Sequence, residues 1–326
     1  MTLFSFLAFV LVVVSSWSLF KLFIPLLRSR LLNYPNARSS HCFPTPRGGG
    51  VVFVAVASFS CGFALFASNP IALSSHSLIL SFLLIVPLAC VGFLDDFLDL
   101  PASWRYIVQL VTALFLILLS PLISPSLVFL PAILFLLIAV TAVINFTNFM
   151  DGLDGLVSGC MSVLITAAAI QLHAPWPVWA LVGALVGFLP WNWSPANVFM
   201  GDVGSTYLGA VFAIFVLHSS TWSEALALLL VATPLLGDAF FCVQRRLMAG
   251  QRVFQAHRLH LFQRLNQAGL THARVSSLYI FATALLAIAF LFGGLPWVIT
   301  LAALELFIGF WLDQKVAIPF TEASSN

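Results

Sequence analysis

The sequence predicts an all-α integral membrane protein, a polytopic helical bundle of about ten to eleven transmembrane helices built as a single domain over residues 1–326. Three observations predict it. Hydrophobic residues make up 61% of the chain, charged residues only 7%, and the mean hydropathy is +1.08. A membrane helix needs about 20 apolar residues, and eleven runs of roughly that length, separated by short loops, account for the chain. No stretch is long and polar enough to fold as a separate soluble domain.

The runs follow in order. The first, 3–26, has no basic residue before it and no small-residue cleavage pattern after it, so it reads as a retained helix rather than a signal peptide. Further runs lie at 49–67, 77–94, 104–120, 128–147, 157–172, 177–192, 205–219 and 224–243. The last two, 276–292 and 295–312, are separated by Gly293-Gly294-Leu295-Pro296. With loop 27–48 placed in the cytoplasm, every arginine from Arg28 to Arg274 falls on the cytoplasmic side, while loops 68–76, 121–127, 173–176, 220–223 and 293–294 hold no Lys or Arg. That is the positive-inside pattern. It puts the N-terminus outside, the C-terminus inside and the acidic motifs on the cytoplasmic face.

Six of the eleven acidic residues are Asp95, Asp96, Asp99, Asp151, Asp154 and Asp202. Each ionisable group near the hydrocarbon is costly, roughly 2.5–3.5 kcal/mol at a helix centre, so carboxylates gathered at helix ends need a reason. Divalent-metal and phosphate chemistry is the strongest one. Asp95 and Asp96 repel one another, and a hard cation relieves this; Mg²⁺ takes one or two carboxylates together with phosphate oxygens. Asp99, about one turn on, is placed to face the same cleft.

Asn145, Asn148 and Asp151 recur every three residues and form one polar stripe at the end of an apolar helix, with Asp154 just beyond. Gly152 and Gly155 permit tight turns and close approach to a ligand. A capped helix start accounts for one aspartate but not for the stripe. Further on, the segment from Trp191 and Asn192 through Phe199 to Gly201-Asp202-Val203-Gly204-Ser205 opens a helix whose amides suit a phosphate, while Asp202 offers a metal ligand. Phe199, one of 32 phenylalanines, reads first as packing and second as a platform for a nucleobase.

In the first loop, Asn36, Arg38 and His41 precede Pro44-Thr45-Pro46-Arg47-Gly48-Gly49-Gly50, a rigid turn whose amides suit an anion, or simply a permissive helix start. The basic loop 244–275 is either topogenic or, through Arg258 and His260, a pyrophosphate clamp. His257 and His260 stand at i, i+3 without a third ligand nearby, a poor zinc set. The five cysteines, Cys42, Cys61, Cys90, Cys160 and Cys242, are scattered singly, which speaks against a disulfide framework or a zinc site; four of them lie in apolar runs and read as small core residues.

Taken together and in this order, the motifs from about residue 33 to 269 resemble the polyprenyl-phosphate N-acetylhexosamine-1-phosphate transferases, the superfamily of WecA and MraY. The segments PNARSSHCFPTPRGGG and HRLHLFQRL look most like its WbpL-type branch, which initiates O-antigen synthesis. The resemblance implies Mg²⁺, with Mn²⁺ as the alternative, held by Asp95, Asp96 and Asp202. It implies catalytic roles for Asp95, Asp96, Asp151, Asp154 and His260, Asp151 or a neighbouring carboxylate acting as base. Substrate contacts would come from Asn36, Arg38, Arg47, Asn148, Asn192, Phe199 and Arg258, with Phe199 on uracil and Arg258 and His260 on the diphosphate. Asp99 stands where MraY-type enzymes carry Lys, which argues against a peptidoglycan role, and the HxHH pattern of WecA-type chains appears as His260-Leu261-Phe262-Gln263.

The implied reaction is attack by undecaprenyl phosphate on the β-phosphorus of a UDP-N-acetylamino sugar, releasing UMP, at the cytoplasmic face of a bacterial inner membrane. The implied partners are those two substrates and the lipid bilayer, with a homodimer as the candidate assembly and no nucleic acid. A rival reading, an ion- or proton-coupled transporter, predicts acids at mid-span and related halves. A CDP-alcohol phosphotransferase would show an Ala-Arg pair after Asp-Gly, which is absent here.

Overall fold

The computed structural model describes residues 1–35, 41, 43–67, 73–123, 130–252 and 257–325, and every predicted apolar run within them is helical. Among the described residues six helices are long and apolar enough to cross a membrane by length and composition, or seven if the bent pair over 222–248 is one span, against the ten to eleven spans expected. The six are α1 (Leu3–Arg30), α3 (Leu73–Leu84) continued by α4 (Val86–Leu98), α5 (Ala102–Leu119), α6 (Leu130–Phe149), α13 (His272–Phe292) and α14 (Leu295–Lys315). The chain is thus an all-α polytopic membrane protein. Pro87, which lacks an amide and crowds the carbonyl one turn back, accounts for the break between α3 and α4.

Three shorter helices, α7 (Leu156–Gln171), α8 (Trp176–Asn192) and α9 (Asp202–Leu217), form the interior, and a fourth, α2 (Gly50–Phe66), packs on them by one face while Phe59, Phe63 and Phe66 stay exposed. At 1.5 Å per residue the four are about 24–26 Å long, and on the first three protein covers most of what lipid would otherwise touch. Fourteen of the sixteen α9 residues are buried. Around this interior, Leu22, Phe115, Phe135, Phe281 and Phe307 on the long helices point outward, as lipid-facing side chains do. Backbones approach closely where small residues allow it. A Cβ at Gly183 or Gly187 of α8 would lie 2.6 Å from Phe9 O and 2.7 Å from Val13 O of α1, so this small-xxx-small pair sets the α1–α8 packing.

The run read as one span at 224–243 is bent. α10 (Trp222–Val231) meets, at 70°, a second arm that opens with a π-helical turn, Thr233–Gly237, and continues as α11 (Asp238–Met248). Pro234 lacks the amide that would bond the carbonyl of Leu230, and Thr233 Oγ1 takes that carbonyl instead at 2.5 Å. α11 then leaves the bundle carrying Arg245 and Arg246. A short helix, α12 (Leu261–Gln267), leads back to α13, and α15 (Phe320–Ser325) ends the described chain. A two-residue hairpin, β1 (Leu32–Asn33) with β2 (Thr45–Pro46), pairs Leu32 with Pro46 and folds the first loop onto the same end of the bundle.

Candidate active site

The ends of α4, α6 and α8 and the beginnings of α5, α9 and α13 meet at one end of the bundle, and a cleft of about 230 Å³ opens among them. Asp96, Asp151, Asp154 and Asp202 line it, with Arg47, Asn192, Phe199, Asn33, His41, Gln263 and His272.

Asp202 begins α9, and its side chain is 31% exposed to the cleft. The α9 amides predicted to receive a phosphate are already met by a carboxylate of the same chain. Asp202 N and Val203 N donate to Asp96 at 3.2 and 3.4 Å, so Asp96 supplies the negative charge that a helix N-terminus favours. Gly201, just before α9, has φ +76, and a Cβ there would lie 2.8 Å from Gly48 N and collide with Asp96 Oδ2. The amides of Gly49 and Gly50 likewise go to protein, donating to Phe199 O and Met200 O at 2.9 Å each. The glycine run is therefore a docking turn, not an anion nest.

Asp95 points beside the cleft. Its carboxylate accepts from Leu100 N at 2.7 Å and from Arg105 Nη1 at 2.5 Å, and the same Nη1 donates to Asp202 at 3.1 Å. Arg105 thus bridges two acids 107 residues apart in sequence. Arg47 Nε lies 3.9 Å from Asp96. Asp99 caps α4 in a left-handed conformation (φ 47), exposed and away from the cleft, because the helix ends before the extra turn the spacing assumed.

The polar stripe is spent along its length. Asn145 exchanges hydrogen bonds with Gln109 of α5 (2.6 and 3.2 Å), and Asn148 Oδ1 accepts from the buried Ser205 of α9 at 2.9 Å. Only Asp151 reaches the cleft. Burial first, then the charges of Asp96 and Asp154, push its carboxyl up to about 7. Asp154 Oδ2 lies 3.2 Å from His272 Nδ1 and accepts from Ala196 N at 3.3 Å. Asn192 lines the wall with its amide committed, accepting from Ser158 Oγ and Gly155 N and donating to Val198 O. The Phe199 ring packs edge-on against His41, centroids 4.7 Å apart, and burial holds the His41 imidazole below its ordinary value.

Arg258 and His260 do not line this cleft. His260 is 2% exposed, stacked between His257 and Phe262 behind the wall. Asp238 accepts from Leu261 N, Phe262 N and Tyr279 Oη, fixing the start of α12. α12 in turn sends Gln263 into the cleft and sets Phe262 against Gly152, where a Cβ would come within 3.1 Å of the ring. Asn36 and Arg38 lie outside the described residues. Sequence reasoning passed over His272 and gave Arg105 only a topogenic role. Arg105 carried one signal, being a basic residue one turn into the helix that follows the acidic pair.

The donor set suits a hard divalent cation. Asp96, Asp151 and Asp202 present carboxylate oxygens, and Arg47 and Arg105 are the arginines among the described residues in contact with these acids.

Residues 78–220 match the family model described as Glycosyl transferase family 4. The chain is 30% identical over 313 aligned positions to the decaprenyl-phosphate N-acetylglucosaminephosphotransferase of Mycobacterium tuberculosis, covering 77% of this chain and 73% of that one. It is 34% identical over 254 positions to the phospho-N-acetylmuramoyl-pentapeptide-transferase of Streptococcus mutans (66% and 73%). It is also 26% identical over 274 positions to a probable undecaprenyl-phosphate N-acetylglucosaminyl 1-phosphate transferase of Bacillus subtilis (77% and 73%).

Proposed function

The chain belongs to glycosyl transferase family 4, with the polyprenyl-phosphate N-acetylhexosamine phosphotransferases, and on that premise we propose that it transfers an N-acetylamino-sugar 1-phosphate from a UDP-sugar to undecaprenyl phosphate and releases UMP. The observation that carries the proposal is the convergence of Asp96, Asp151, Asp154 and Asp202, from three places in the chain, on one cleft at the arginine-bearing end of a membrane bundle. That end faces the cytoplasm of a bacterial inner membrane, on the strength of the one-sided arginines.

Phosphoryl transfer asks for positioning and charge neutralisation more than covalent chemistry. Asp202 and Asp96 would hold Mg²⁺ or Mn²⁺, which when bound neutralises charge on the diphosphate and on departing UMP. Asp95 acts through Arg105, which it holds beside Asp202. Asp151, its carboxyl near 7, takes the remaining proton of the lipid phosphate. A lipid phosphate oxygen then bonds to the β-phosphorus, the bond from that phosphorus to the bridging oxygen breaks, and UMP leaves with the oxygen. Arg47 and Arg105 supply fixed positive charge, Phe199 stacks on uracil, and Asp154 is oriented by His272. Arg258 and His260 support the wall through α12 rather than touching the diphosphate.

The segment HRLHLFQRL favours a role in starting O-antigen synthesis and a 6-deoxy amino sugar, N-acetylfucosamine or N-acetylquinovosamine, over N-acetylglucosamine. Purified protein with undecaprenyl phosphate, Mg²⁺ and competing UDP-sugars tests this. UMP and a lipid-linked diphospho-sugar are expected, and added UMP should regenerate the UDP-sugar. Release of UDP would show plain glycosyl transfer, and no nucleotide release with any UDP-sugar would return the question to transport.

A further inference from the structure

We propose that Cys242, His257 and His260 form a second cation site, separate in place and in chemistry from the carboxylate cleft, that takes a borderline-soft divalent metal such as Zn²⁺. The sequence offered two histidines without a third ligand; the bend at Pro234 supplies it by turning α11 so that Cys242 comes to meet them. Cys242 Sγ and one ring nitrogen from each histidine lie within 4.8 Å of one another. Cys242 and His260 are buried and His257 is half-buried. The two imidazoles stack with centroids 5.0 Å apart.

A second observation concerns how the His260 ring is set. His260 Nδ1 is enclosed with no hydrogen-bond partner. The nearest carboxylate oxygen, Asp238 Oδ1, stands 3.6 Å away and already accepts from Leu261 N at 2.8 Å. Nδ1 turned toward Asp238 would leave the opposite nitrogen, Nε2, for a metal, the arrangement in which a carboxylate orients a metal-binding ring. With both Asp238 oxygens occupied by other donors, three protein ligands remain, and water takes the fourth position.

The donor types decide the metal. Thiolate and imidazole suit Zn²⁺ and exclude Mg²⁺, which wants oxygen. Bond lengths of about 2.3 Å to sulfur and 2.0–2.1 Å to nitrogen put tetrahedral donors roughly 3.3–3.7 Å apart, so the set closes with about an ångström of side-chain movement. The cost has two parts: the buried Cys242 thiol must release its proton to bind as thiolate, and coordination through His257 Nε2 would move that ring's proton to Nδ1 and give up a long 3.3 Å contact from Leu259 N.

What such a metal does follows from its place. It ties α11 to the start of α12, the element that sets Phe262 against Gly152 and Gln263 in the cleft wall. The metal is therefore a positioning clamp. In purified full-length protein, Co²⁺ should give a thiolate charge-transfer band in the near ultraviolet with tetrahedral visible bands, and Cys242→Ser should abolish the first. Zn²⁺ should compete Co²⁺ away while millimolar Mg²⁺ should not. As a second measurement independent of any variant, Zn²⁺ should slow alkylation of Cys242 at least tenfold, read by mass spectrometry, while leaving the exposed Cys90 unchanged. A Co²⁺ spectrum without the thiolate band, or equal alkylation of Cys242 with and without Zn²⁺, overturns the site whatever the transferase assay shows.

Discussion

Gly201→Ala is predicted to disable catalysis, at a stability cost above that of the same substitution at a glycine far from the cleft. Gly201 has φ 76 and ψ 171, a region open in practice only to glycine. Gly294, before α14, has nearly the same angles, φ 74 and ψ −174, but a Cβ there meets nothing within 4 Å. Both alanine variants therefore carry the backbone strain, roughly 1–3 kcal/mol each. Only at position 201 does the new methyl collide with Asp96 Oδ2. To restore an ordinary carbon–oxygen separation of about 3.4 Å, the carboxylate must retreat by about 1 Å. It then loses its 3.2 Å bond from Asp202 N and its place in the cleft. A misplacement of that size is worth about 10²-fold in rate. The assay is UMP release from a UDP-sugar and undecaprenyl phosphate, alongside thermal unfolding in detergent. About a hundredfold difference in turnover per folded molecule is expected, with Gly201→Ala also unfolding at the lower temperature because its methyl meets Gly48 N as well. If Gly201→Ala turns over within a few-fold of Gly294→Ala, Asp96 is not positioned for catalysis by this turn.

Three further predictions rest on other parts of the structure. Because the Asp151 carboxyl titrates near 7 rather than 3.8, the folded state keeps a proton that the unfolded state has lost between those values. The stability this group contributes is full below about pH 4 and is lost as pH rises through 7. Asp151→Asn should then match wild type at pH 4 and exceed it at pH 8, with chelator present; parallel pH profiles would refute this. Glu305, midway along α14, encloses both carboxylate oxygens without a partner among the described residues. Glu305→Leu should stabilise the protein by about 1–3 kcal/mol with turnover unchanged, and a destabilised variant would mean the carboxyl has a partner. Single cysteines at positions 97 and 153, in a cysteine-free background, should resist a membrane-impermeant thiol reagent in intact cells; rapid labelling at either position would reverse the topology.

The helices were legible because burial in lipid writes itself locally, as unbroken apolar runs. The acids were legible because a carboxylate near hydrocarbon is conspicuous. Their partners were not, since pairing is a tertiary fact. Arg105 looked like one more basic residue after a span, and only folding brings it to Asp202, 97 residues on. His272 looked like a helix start and stands 3.2 Å from Asp154, 118 residues earlier. Helix starts misled in a consistent way. The α9 amides looked free for phosphate, yet Asp96 reaches them from α4, and Asp238 does the same for α12. A sequence shows that such amides exist but not which side chain arrives first. Cys242 failed for the same reason: beside apolar neighbours it reads as core, and only the bend at Pro234 turns it toward two histidines.

Charge balance in the cleft leads to one more prediction, with opposite signs under two conditions. Asp95, Asp96, Asp151, Asp154 and Asp202 face Arg47 and Arg105, so acids outnumber arginines among these groups. Like charges 4–8 Å apart repel by roughly 2–4 kcal/mol at an effective dielectric near 20. A diphosphate entering that field is opposed until a divalent cation cancels part of it, so cation binding should precede the nucleotide. Removing one acid then does two contrary things. Asp202→Asn weakens the cation site, so with limiting Mg²⁺ it should bind UDP-sugar more weakly than wild type and turn over at least about 10²-fold more slowly. In chelator, at a pH high enough to ionise Asp202, whose carboxyl burial and the neighbouring Asp95 and Asp96 push up, the same variant lacks one repelling charge and should bind the nucleotide more tightly than wild type. Titration calorimetry under both conditions decides the matter. A change of the same sign in both would mean that Asp202 meets the nucleotide directly, and the ordering argument would fall.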